Sequence, residues 1–545
     1  MAPSSHTGAT RSPLATLRRP LPDSAPRRHR VATPGQVSLT PGRGCCASTR
    51  TWASAPSAPP SRPSEPQRPT HRGPRSPRPP YRGRVTSDAV TPATTTTDPG
   101  AVPTPADEVV DLCRELIRID STNYGDGTGP GEREAADYVV DRLTEVDLEP
   151  QVFESDPGRT SVVVRLPGKN PERPGLVLHG HLDVVPAEAA DWSVDPFAAE
   201  LKDGMVWGRG AVDMKDMDAM ILAVVRYLAR TGTQPDRDLV VAFFADEEAG
   251  GVKGAGHLVE HHPELFAGCT EAVSEVGGFS ITVPGQALAA GAEPQRTYLV
   301  QTAEKGIAWL TLTARGRAGH GSVPTQDNAV VHMSRALTAI HEHEWPAETI
   351  ESVRVLLEGV GEQAGIDWSV DDAPSLTEVV GATGGAHAFV KGTLRNTINP
   401  TMVSGGYKHN VVPQTVTAGL DCRYLPGQWE QVLATIQELA GEHVEVGIHH
   451  LGPSLEADFD TPLVDTMRAA LEAEDPGCRV LPYCLSGGTD NKHLGDLGIT
   501  GYGFVPLQLP ADLDFAPLFH GIDERVPVSA LEFGARVLHR FVMEA

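Results

Sequence analysis

The sequence predicts an α/β fold, with a mostly parallel sheet flanked by helices and an inserted α+β domain. Strand-like apolar runs alternate with helical patterns from about residue 106 to 245, as is typical of a parallel sheet. A different pattern, with two helices and about four strands, follows from about 297 to 450. The first pattern returns from residue 451, so the smaller domain interrupts the larger one.

The elements of the larger domain follow from hydrophobic spacing. Apolar residues three and four apart predict helices, whereas short apolar runs before loops predict strands. The predicted helices cover 106–119, 132–146 and 217–232, and the predicted strands cover 160–166, 175–181 and 238–245.

The inserted segment is predicted to be a small sandwich of two helices on about four strands. Residues 297–316 read as a pair of neighbouring strands. The remaining predictions are helices over 328–343 and 428–442, and strands over 411–426 and 443–450.

Length and composition divide the 545 residues into four segments. Residues 1–104 are predicted to be a disordered extension, because the first hundred contain 15 Arg, no Lys and 19 of the 47 prolines. A wrongly assigned start, an organelle transit peptide and an RNA-binding arm are the alternatives for this segment. The catalytic domain is expected over 105–300 and 451–545, with the inserted domain over 301–450.

Net charge, hydrophobic runs and cysteine content disfavour several functional classes. The net charge is −25 although the first hundred residues are basic, so the remainder is strongly acidic and is not expected to bind nucleic acid. No run of 18 apolar residues exists, so no membrane association is expected. Seven cysteines without a C-x-x-C pair indicate reduced thiols and a cytoplasmic location.

Acidic residues and histidines stand where predicted strands pass into glycine-containing loops. Since the carboxyl ends of parallel strands meet at one edge of a sheet, these side chains can form one site. Histidine and carboxylate ligands suit zinc, and a shared carboxylate suits two metal ions. The candidates are His181, Asp183, Asp213, Glu247, Glu248, Glu275 and His520.

The order of these residues along the chain resembles that in the di-zinc exopeptidase and deacylase family. The motifs that carry the resemblance are H-x-D, G-R-G-x-x-D-x-K, D-E-E-x-G-G, E-x-G-G and H-G-x-x-E-R. This family includes carboxypeptidase S, glutamate carboxypeptidase, aminoacylase, acetylornithine deacetylase and succinyl-diaminopimelate desuccinylase. The segments "GHLDVVPA", "WGRGAVDMKD" and "SGGTDNKH" look most similar to the carboxypeptidase S branch.

The resemblance implies two Zn²⁺ per chain, with Co²⁺ or Mn²⁺ as substitutes. Asp213 would bridge the two ions, His181 and Glu275 would complete one site, and Glu248 and His520 the other. Asp183 would hold His181 in its binding tautomer, and Glu247 would be the general base. The resemblance also implies a cis peptide bond between Asp213 and Met214.

The inserted domain resembles the lid and dimerisation domain of the family, which implies a homodimer formed through this domain. His320 would reach the active site of a partner subunit and stabilise the oxyanion. Asn410, Arg423, Gly488 and Thr489 match substrate-contacting positions, although Arg423 could equally be part of a structural ion pair.

The resemblance implies hydrolysis of a peptide or amide bond beside a free carboxylate. The expected substrate is a small peptide, which would make the protein a dipeptidase or carboxypeptidase. The alternative is an N-acyl amino acid, cleaved by a deacylase of the aminoacylase, deacetylase or desuccinylase type. The predicted ligands do not separate these reactions, because both need the same attack by water.

Overall fold

The structure, a computed structural model, describes residues 101–284 and 295–545. The predicted disordered extension therefore lies outside the described residues, apart from its last four positions. Thr104 caps the first helix, because its backbone N–H and hydroxyl both donate to the carboxylate of Asp107. Within the described residues, no helix is both long and apolar enough to cross a membrane.

The five predicted helices are present to within a few positions, and seven further helices that the sequence analysis did not predict occur in the described residues. The third ends at Gly232, whose positive φ of 64° gives the left-handed conformation that closes many helices. In chain order the helices are α1 (Pro105–Ile117), α2 (Arg133–Thr144), α3 (Lys215–Thr231), α4 (Ala255–His261), α5 (Ala329–Glu342), α6 (Glu351–Ala364), α7 (Ala373–Gly381), α8 (His387–Gly392), α9 (Trp429–Ala440), α10 (Pro462–Glu474), α11 (Asn491–Leu494) and α12 (Val528–Glu544).

The strands of the described residues form one large sheet and several smaller ones. In chain order they are β1 (Gln151–Asp156), β2 (Arg159–Leu166), β3 (Gly175–His181), β4 (Glu200–Lys202), β5 (Met205–Trp207), β6 (Leu239–Phe244), β7 (Cys269–Ser274), β8 (Phe279–Thr282), β9 (Arg296–Glu304), β10 (Gly306–Arg315), β11 (Gly319–His320), β12 (Thr397–Gly405), β13 (Val411–Val412), β14 (Thr415–Tyr424), β15 (Val444–Gly452), β16 (Leu455–Glu456), β17 (Arg479–Leu485), β18 (Thr500–Gly503) and β19 (Arg525–Pro527).

The large sheet has ten strands and is parallel at its centre. Its main path runs β1-β2-β6-β3-β7-β18-β9-β16, with β8 and β17 also paired to β9. Strand β3 is parallel to β6 and β7, and β18 is parallel to β7, whereas β1, β2, β8 and β16 pair antiparallel. Helices α1, α3 and α12 contribute buried side chains to one core with this sheet. The predicted α/β class is therefore confirmed.

A second sheet has the antiparallel order β12-β14-β10-β15. Burial alternates along β10 and β14, so each presents one face to helices α5 and α9. Their shared core is separate from that of the large sheet and contains Leu310, Leu312, Met333 and Ile436. The small sheet thus has two helices on four strands as predicted, although the unpredicted β12 stands in the place expected for β9.

The prediction that residues 297–316 form a pair of neighbouring strands is wrong. Strand β9 pairs with β8, β16, β17 and β18 in the large sheet, whereas β10 pairs with β14 and β15 in the small one. Lys305 is the single residue between them. Its ammonium group donates to the carbonyls of Gly392 and Arg395, where the chain returns to the small sheet.

Helices α6, α7 and α8 lie along the chain between strands β10 and β12 of the small sheet. They lie within the segment predicted as the inserted domain, but their buried side chains, including Val353, Leu357 and Val379, pack in the core of the large sheet. The chain therefore crosses between the two cores within this segment as well as at its ends.

Candidate metal centre and active site

The five predicted metal ligands meet at the carboxyl edge of the large sheet. His181 is the last residue of β3, Glu275 directly follows β7, and Glu248 lies in the turn after β6. Because β6, β3 and β7 are parallel neighbours, these three side chains leave the sheet at the same edge. Asp213, just before α3, and His520, in the loop before β19, join them from outside the sheet.

Asp213 lies between two histidines. Its Oδ1 is 3.2 Å from Nε2 of His181, and its Oδ2 is 3.1 Å from Nε2 of His520. Each histidine also faces a carboxylate of its own: His181 is 3.5 Å from Oε2 of Glu275, and His520 is 3.1 Å from Oε2 of Glu248. The cluster therefore has two halves that share one carboxylate.

These side chains fit divalent cations. The ligand atoms of His181, Asp213 and Glu248 lie within 4.8 Å of one another, as do those of His181, Glu247 and Glu275. Glu248 Oε1 is buried without a hydrogen-bond partner, so this oxygen has a free lone pair inside the cluster. Imidazole nitrogens and carboxylate oxygens are the ligands that zinc and similar ions take in proteins.

The charges of the cluster favour a bound cation as well. Burial and the nearby carboxylate of Asp213 raise the pKa of Glu248 to about 8, and burial raises the pKa of Glu275. Burial also acts against the ionised form of Asp213, but hydrogen bonds to His181 and His520 outweigh it and lower its pKa. Ionising all three carboxylates together is costly without added positive charge, which metal ions would supply.

Asp183 supports the cluster from behind, and it does so in two ways. Its backbone carbonyl is 2.9 Å from Nδ1 of His181, so Nδ1 carries the proton and Nε2 is left as the ligand atom. Its carboxylate is completely buried and accepts hydrogen bonds from the backbone N–H groups of Glu247 and Glu248, both at 3.1 Å. The amide of Asn123 donates to the same carboxylate at 2.8 Å.

Glu524 fixes Asp213 in a similar manner, although it was not among the predicted site residues. Its carboxylate accepts from the backbone N–H groups of Val212 and Asp213, at 2.7 and 3.2 Å. Arg209 donates to the same carboxylate at 2.5 Å and to the carbonyl of Gly521 at 3.0 Å. Arg209 lies within G-R-G-x-x-D and Glu524 within H-G-x-x-E-R, and their opposite charges were the available signal.

The backbone beside the ligands has uncommon conformations. The peptide bond between Asp213 and Met214 is cis, which confirms that prediction. Asp246, Val276 and His520 have positive φ angles of 69°, 54° and 57°. Such angles are costly for residues other than glycine, and above all for β-branched valine, and they concentrate at functional sites.

Glu247 lies beside the ligand cluster without being one of the five predicted ligands. Its side chain is 11% exposed, and its Oε1 is 3.9 Å from Nζ of Lys492. Burial raises its pKa, although the charges of Lys492 and His181 oppose the shift. A carboxylate with a raised pKa at the rim of such a cluster suits proton transfer.

His320 and Asn410 are brought together on a two-stranded sheet apart from this cluster. His320 pairs with Val411 in the β11–β13 ladder, and the N–H of Gly321 donates to the carbonyl of Asn410 at 2.9 Å. The backbone N–H of Ser322 donates to Nδ1 of His320 at 3.3 Å. Nδ1 therefore accepts, and the exposed Nε2 carries the proton and is a donor.

The other predicted substrate residues have partners within the chain. The hydroxyl and backbone N–H of Thr489 donate to the carboxylate of Glu304, at 2.6 and 3.1 Å. Thr489 is buried there, at the end of β9. Arg423 donates from two nitrogens to the carboxylate of Asp421, at 2.7 and 3.1 Å. Arg423 thus makes the ion pair that the sequence left open, and its contact with substrate stays a prediction.

Comparison with known proteins agrees with this arrangement. Residues 177–544, more than half of the chain, match the sequence profile of peptidase family M20/M25/M40. The chain belongs to this family. Membership confirms the predicted resemblance and the predicted class of enzyme, a metallopeptidase-type hydrolase of peptide or amide bonds.

The names of similar proteins include both of the activities that the sequence left open. Aminoacylase-1 of Pongo abelii is 28% identical over 447 residues, covering 79% of this chain and 94% of the relative. The probable carboxypeptidase S-like 2 of Dictyostelium discoideum is 25% identical over 376 residues, covering 68% and 71%. Both the peptidase and the aminoacylase prediction are compatible with membership of the M20 family.

The fold is shared with solved structures of the family. The M20 family metallo-carboxypeptidase Sso-CP2 from Sulfolobus solfataricus superposes with a TM-score of 0.59 at 17% identity. The match covers 80% of this chain and 99% of the other. The large sheet and the inserted small sheet are thus the architecture of this M20 fold.

Proposed function

We propose that this M20 family protein is a two-zinc hydrolase that cleaves an amide bond next to a free carboxylate. The observation that carries the proposal is the position of Asp213, whose two oxygens face His181 and His520. A carboxylate shared in this way is typical of two-metal sites. Co²⁺ or Mn²⁺ would be expected to replace zinc, because the nitrogen and oxygen ligands suit all three ions.

The proposed ligand assignment follows the two halves of the cluster. His181 and Glu275 bind one ion, Glu248 and His520 bind the other, and Asp213 bridges them. Asp183 acts from the second layer, where its carboxylate holds the backbone of Glu247 and Glu248. Mutation of such outer partners typically costs 10- to 100-fold in metal affinity or activity.

Glu247 is the proposed general base. When bound, two divalent ions would lower the pKa of a water molecule and polarise the scissile carbonyl. Glu247 takes a proton from the attacking water and delivers it to the leaving amine. The hydrogen bonds from the backbone of Glu247 and Glu248 to Asp183 fix this turn. Glu248 can then bind a metal ion while its neighbour Glu247 reaches the attacking water.

His320 is the proposed donor to the developing oxyanion. Its Nε2–H is free to donate because Nδ1 accepts from Ser322. Its strand belongs to the inserted domain, so it must be brought to the metal cluster by closure of this domain or by a partner chain. Asn410, held beside it by the β11–β13 ladder, would contact the same substrate.

A homodimer formed through the inserted domain is part of the proposal. Strand β12 is an edge of the small sheet and carries exposed apolar side chains. Met402 is 73% exposed and Val403 is 69% exposed, and Tyr407 just beyond the strand is 83% exposed. An edge strand with exposed apolar residues favours pairing with another chain.

The proposed substrate is a dipeptide or the carboxyl-terminal end of a small peptide. The second candidate, an N-acyl amino acid, is favoured by the 28% identity to aminoacylase-1 over 94% of that protein. We also propose a cytoplasmic location, since the five cysteines within the described residues are all free thiols.

The first test combines metal analysis with a Glu247→Gln variant. Elemental analysis should find two zinc ions per chain, and chelation should abolish hydrolysis of dipeptides or N-acyl amino acids. Glu247→Gln should keep both ions but lose at least roughly 100-fold in kcat. Glu134→Gln, on the exposed face of α2, is the matched control and should retain full activity.

Two results would contradict the proposal. Activity that survives complete removal of metal would exclude a metal-dependent reaction. A metal-loaded Glu247→Gln enzyme with near-normal kcat would assign the base to another residue. A screen of dipeptides against N-acyl amino acids with the wild-type enzyme decides between the two substrate classes.

A further inference from the structure

Lys492 lies where the general base and the proposed substrate pocket meet. It is in the short helix α11, just after Gly488 and Thr489. Its side chain is 14% exposed, and its Nζ is 3.9 Å from Oε1 of Glu247. The same Nζ is 3.7 Å from the point that a Cβ on Gly488 would occupy. A partly buried ammonium group thus lies between the base and a pocket position that has no side chain.

This ammonium group has unused hydrogen-bonding capacity. Among the described residues, its one ion pair is with Glu247, and 3.9 Å is too long for a hydrogen bond. A lysine ammonium has three N–H donors, and within the described residues none of those of Lys492 makes a side-chain hydrogen bond. An anionic group bound at this position would satisfy them.

The surroundings keep Lys492 charged. Burial acts to lower its pKa, but the carboxylates of Glu247, Asp490 and Glu304 outweigh burial and raise the pKa. The group is therefore a cation at neutral pH. Arg423, the cation that the sequence pointed to, already directs two nitrogens to Asp421.

We propose that Nζ of Lys492 binds the free carboxylate of the substrate and so selects substrates that have one. The inference rests on the proposed function and identifies the residue that sets its specificity. In a dipeptide or an N-acyl amino acid, the scissile carbonyl carbon and the carboxylate carbon are three bonds apart, within about 4 Å. Nζ of Lys492 is 3.9 Å from Oε1 of Glu247. One substrate molecule is therefore long enough to place its scissile carbonyl near Glu247 and its carboxylate near Lys492.

The missing side chain at Gly488 fits the same arrangement. A Cβ there would lie 3.7 Å from Nζ and 3.5 Å from Cδ1 of Ile307, between the inserted domain and the ammonium group. A larger side chain would therefore occupy the space through which a carboxylate approaches Lys492. Glycine leaves this approach open.

The experiment compares substrates that differ only in their charge. N-acetyl-L-methionine and L-alanyl-L-alanine are assayed beside their carboxyl-terminal amides, with wild type, Lys492→Met and Lys492→Arg. Wild type should prefer the carboxylates. Lys492→Met should lower kcat/KM for them by roughly 10- to 100-fold, mainly through KM, because a charge-assisted hydrogen bond is lost. The amides should lose much less, because only the effect of Lys492 on the pKa of Glu247 reaches them, and Lys492→Arg should restore part of the preference for the carboxylates.

Controls separate this role from a structural one. Lys169→Met, in an exposed loop, should leave kcat and KM unchanged for both the acids and the amides. Metal content of the Lys492→Met enzyme should equal that of wild type. Equal losses on acids and amides would mean that Lys492 only positions Glu247, and unchanged kinetics on the acids would mean that it has no role. Either result would overturn the inference.

A binding measurement keeps the inference separate from the proposed reaction. Calorimetry would compare the affinity of N-acetyl-L-methionine for metal-loaded Glu247→Gln with that for Glu247→Gln carrying Lys492→Met. The second change should weaken binding by the same roughly 10- to 100-fold. If wild type hydrolysed none of the substrates, the proposed function would fail, and this comparison would still decide whether Lys492 recognises a carboxylate. Equal affinities would refute the inference.

Discussion

Replacing Asp183 by asparagine should damage both the stability and the metal site of this protein. Three N–H donors converge on the buried carboxylate: those of Glu247, Glu248 and the Asn123 amide. The carboxylate accepts from Glu247 on one oxygen and from Glu248 and Asn123 on the other. An asparagine offers one acceptor oxygen and turns an N–H₂ group toward the remaining donor.

The size of the effect follows from these three bonds. If the asparagine oxygen faces Glu248 and Asn123, the N–H of Glu247 is left buried without an acceptor, at a cost of about 1–3 kcal/mol. The two remaining bonds lose the charge of their acceptor, at about 1 kcal/mol each. The free energy of unfolding should therefore fall by about 3–5 kcal/mol, unless the Glu247–Glu248 turn shifts to relieve the mismatch.

A shift of that turn would move a proposed ligand and the proposed base together. Metal affinity or activity should then fall by roughly 10- to 100-fold, the usual range for outer partners of a metal site. The assays are urea unfolding of the metal-free protein, competition with a chelator for metal, and kcat. Stability and metal affinity draw on the same three hydrogen bonds, so at least one of them must change.

Asp238→Asn is the matched control. Asp238 also accepts a backbone N–H, from Gly168, and a side-chain bond from Arg165, but it is 28% exposed and precedes β6, at the end of the strand opposite the ligands. Its replacement should cost about 1 kcal/mol and leave metal affinity unchanged. A soluble Asp183→Asn protein with wild-type unfolding, metal affinity and kcat would refute the reasoning.

Two further predictions concern the inserted domain. Mixing His320→Ala and Glu247→Gln subunits should restore about a quarter of wild-type activity if His320 acts in the active site of a partner subunit. The reason is that half of the dimers are mixed and each mixed dimer has one intact site. No recovery in proven mixed dimers would exclude action in trans. Replacing Met402 and Val403 together by aspartate should shift the protein from dimer to monomer in sedimentation, because two charges would be buried at the edge strand. Val152→Asp, at the 43% exposed β1 edge, should leave the dimer intact, and a dimer that survived the double change would place the interface elsewhere.

The metal cluster was predictable because its residues follow from local patterns. Strand β3 runs over the seven residues that its apolar run predicts, and His181 ends it. Parallel pairing then requires that the ends of β3, β6 and β7 meet. Asp213 and His520 have no such strand to place them. The expectation that they also stand at strand ends is wrong, because β5 ends six residues before Asp213 and a short helical turn precedes His520. Only the family motifs indicated their roles.

The partners of these residues were harder to predict, because each contact joins distant parts of the chain. Glu524 reaches Asp213 across more than 300 positions, and Thr489 reaches Glu304 across 185. The exception is the pair of Arg423 and Asp421, two residues apart on β14. Side chains at this spacing share a face of a strand, so the ion pair could have been preferred from the sequence.

The wrong strand pair over 297–316 has a physical reason that the sequence hides. Strand β10 alternates between buried and exposed residues, whereas β9 is buried along almost its whole length. Continuous burial usually shows as an apolar run, but β9 contains polar residues that are satisfied internally. Gln301 donates to Glu304, and Thr302 bonds to Ser352 on α6. A strand whose polar side chains find partners inside the core resembles one half of an exposed hairpin in its sequence. Only the identity of those partners shows that it belongs to the large sheet.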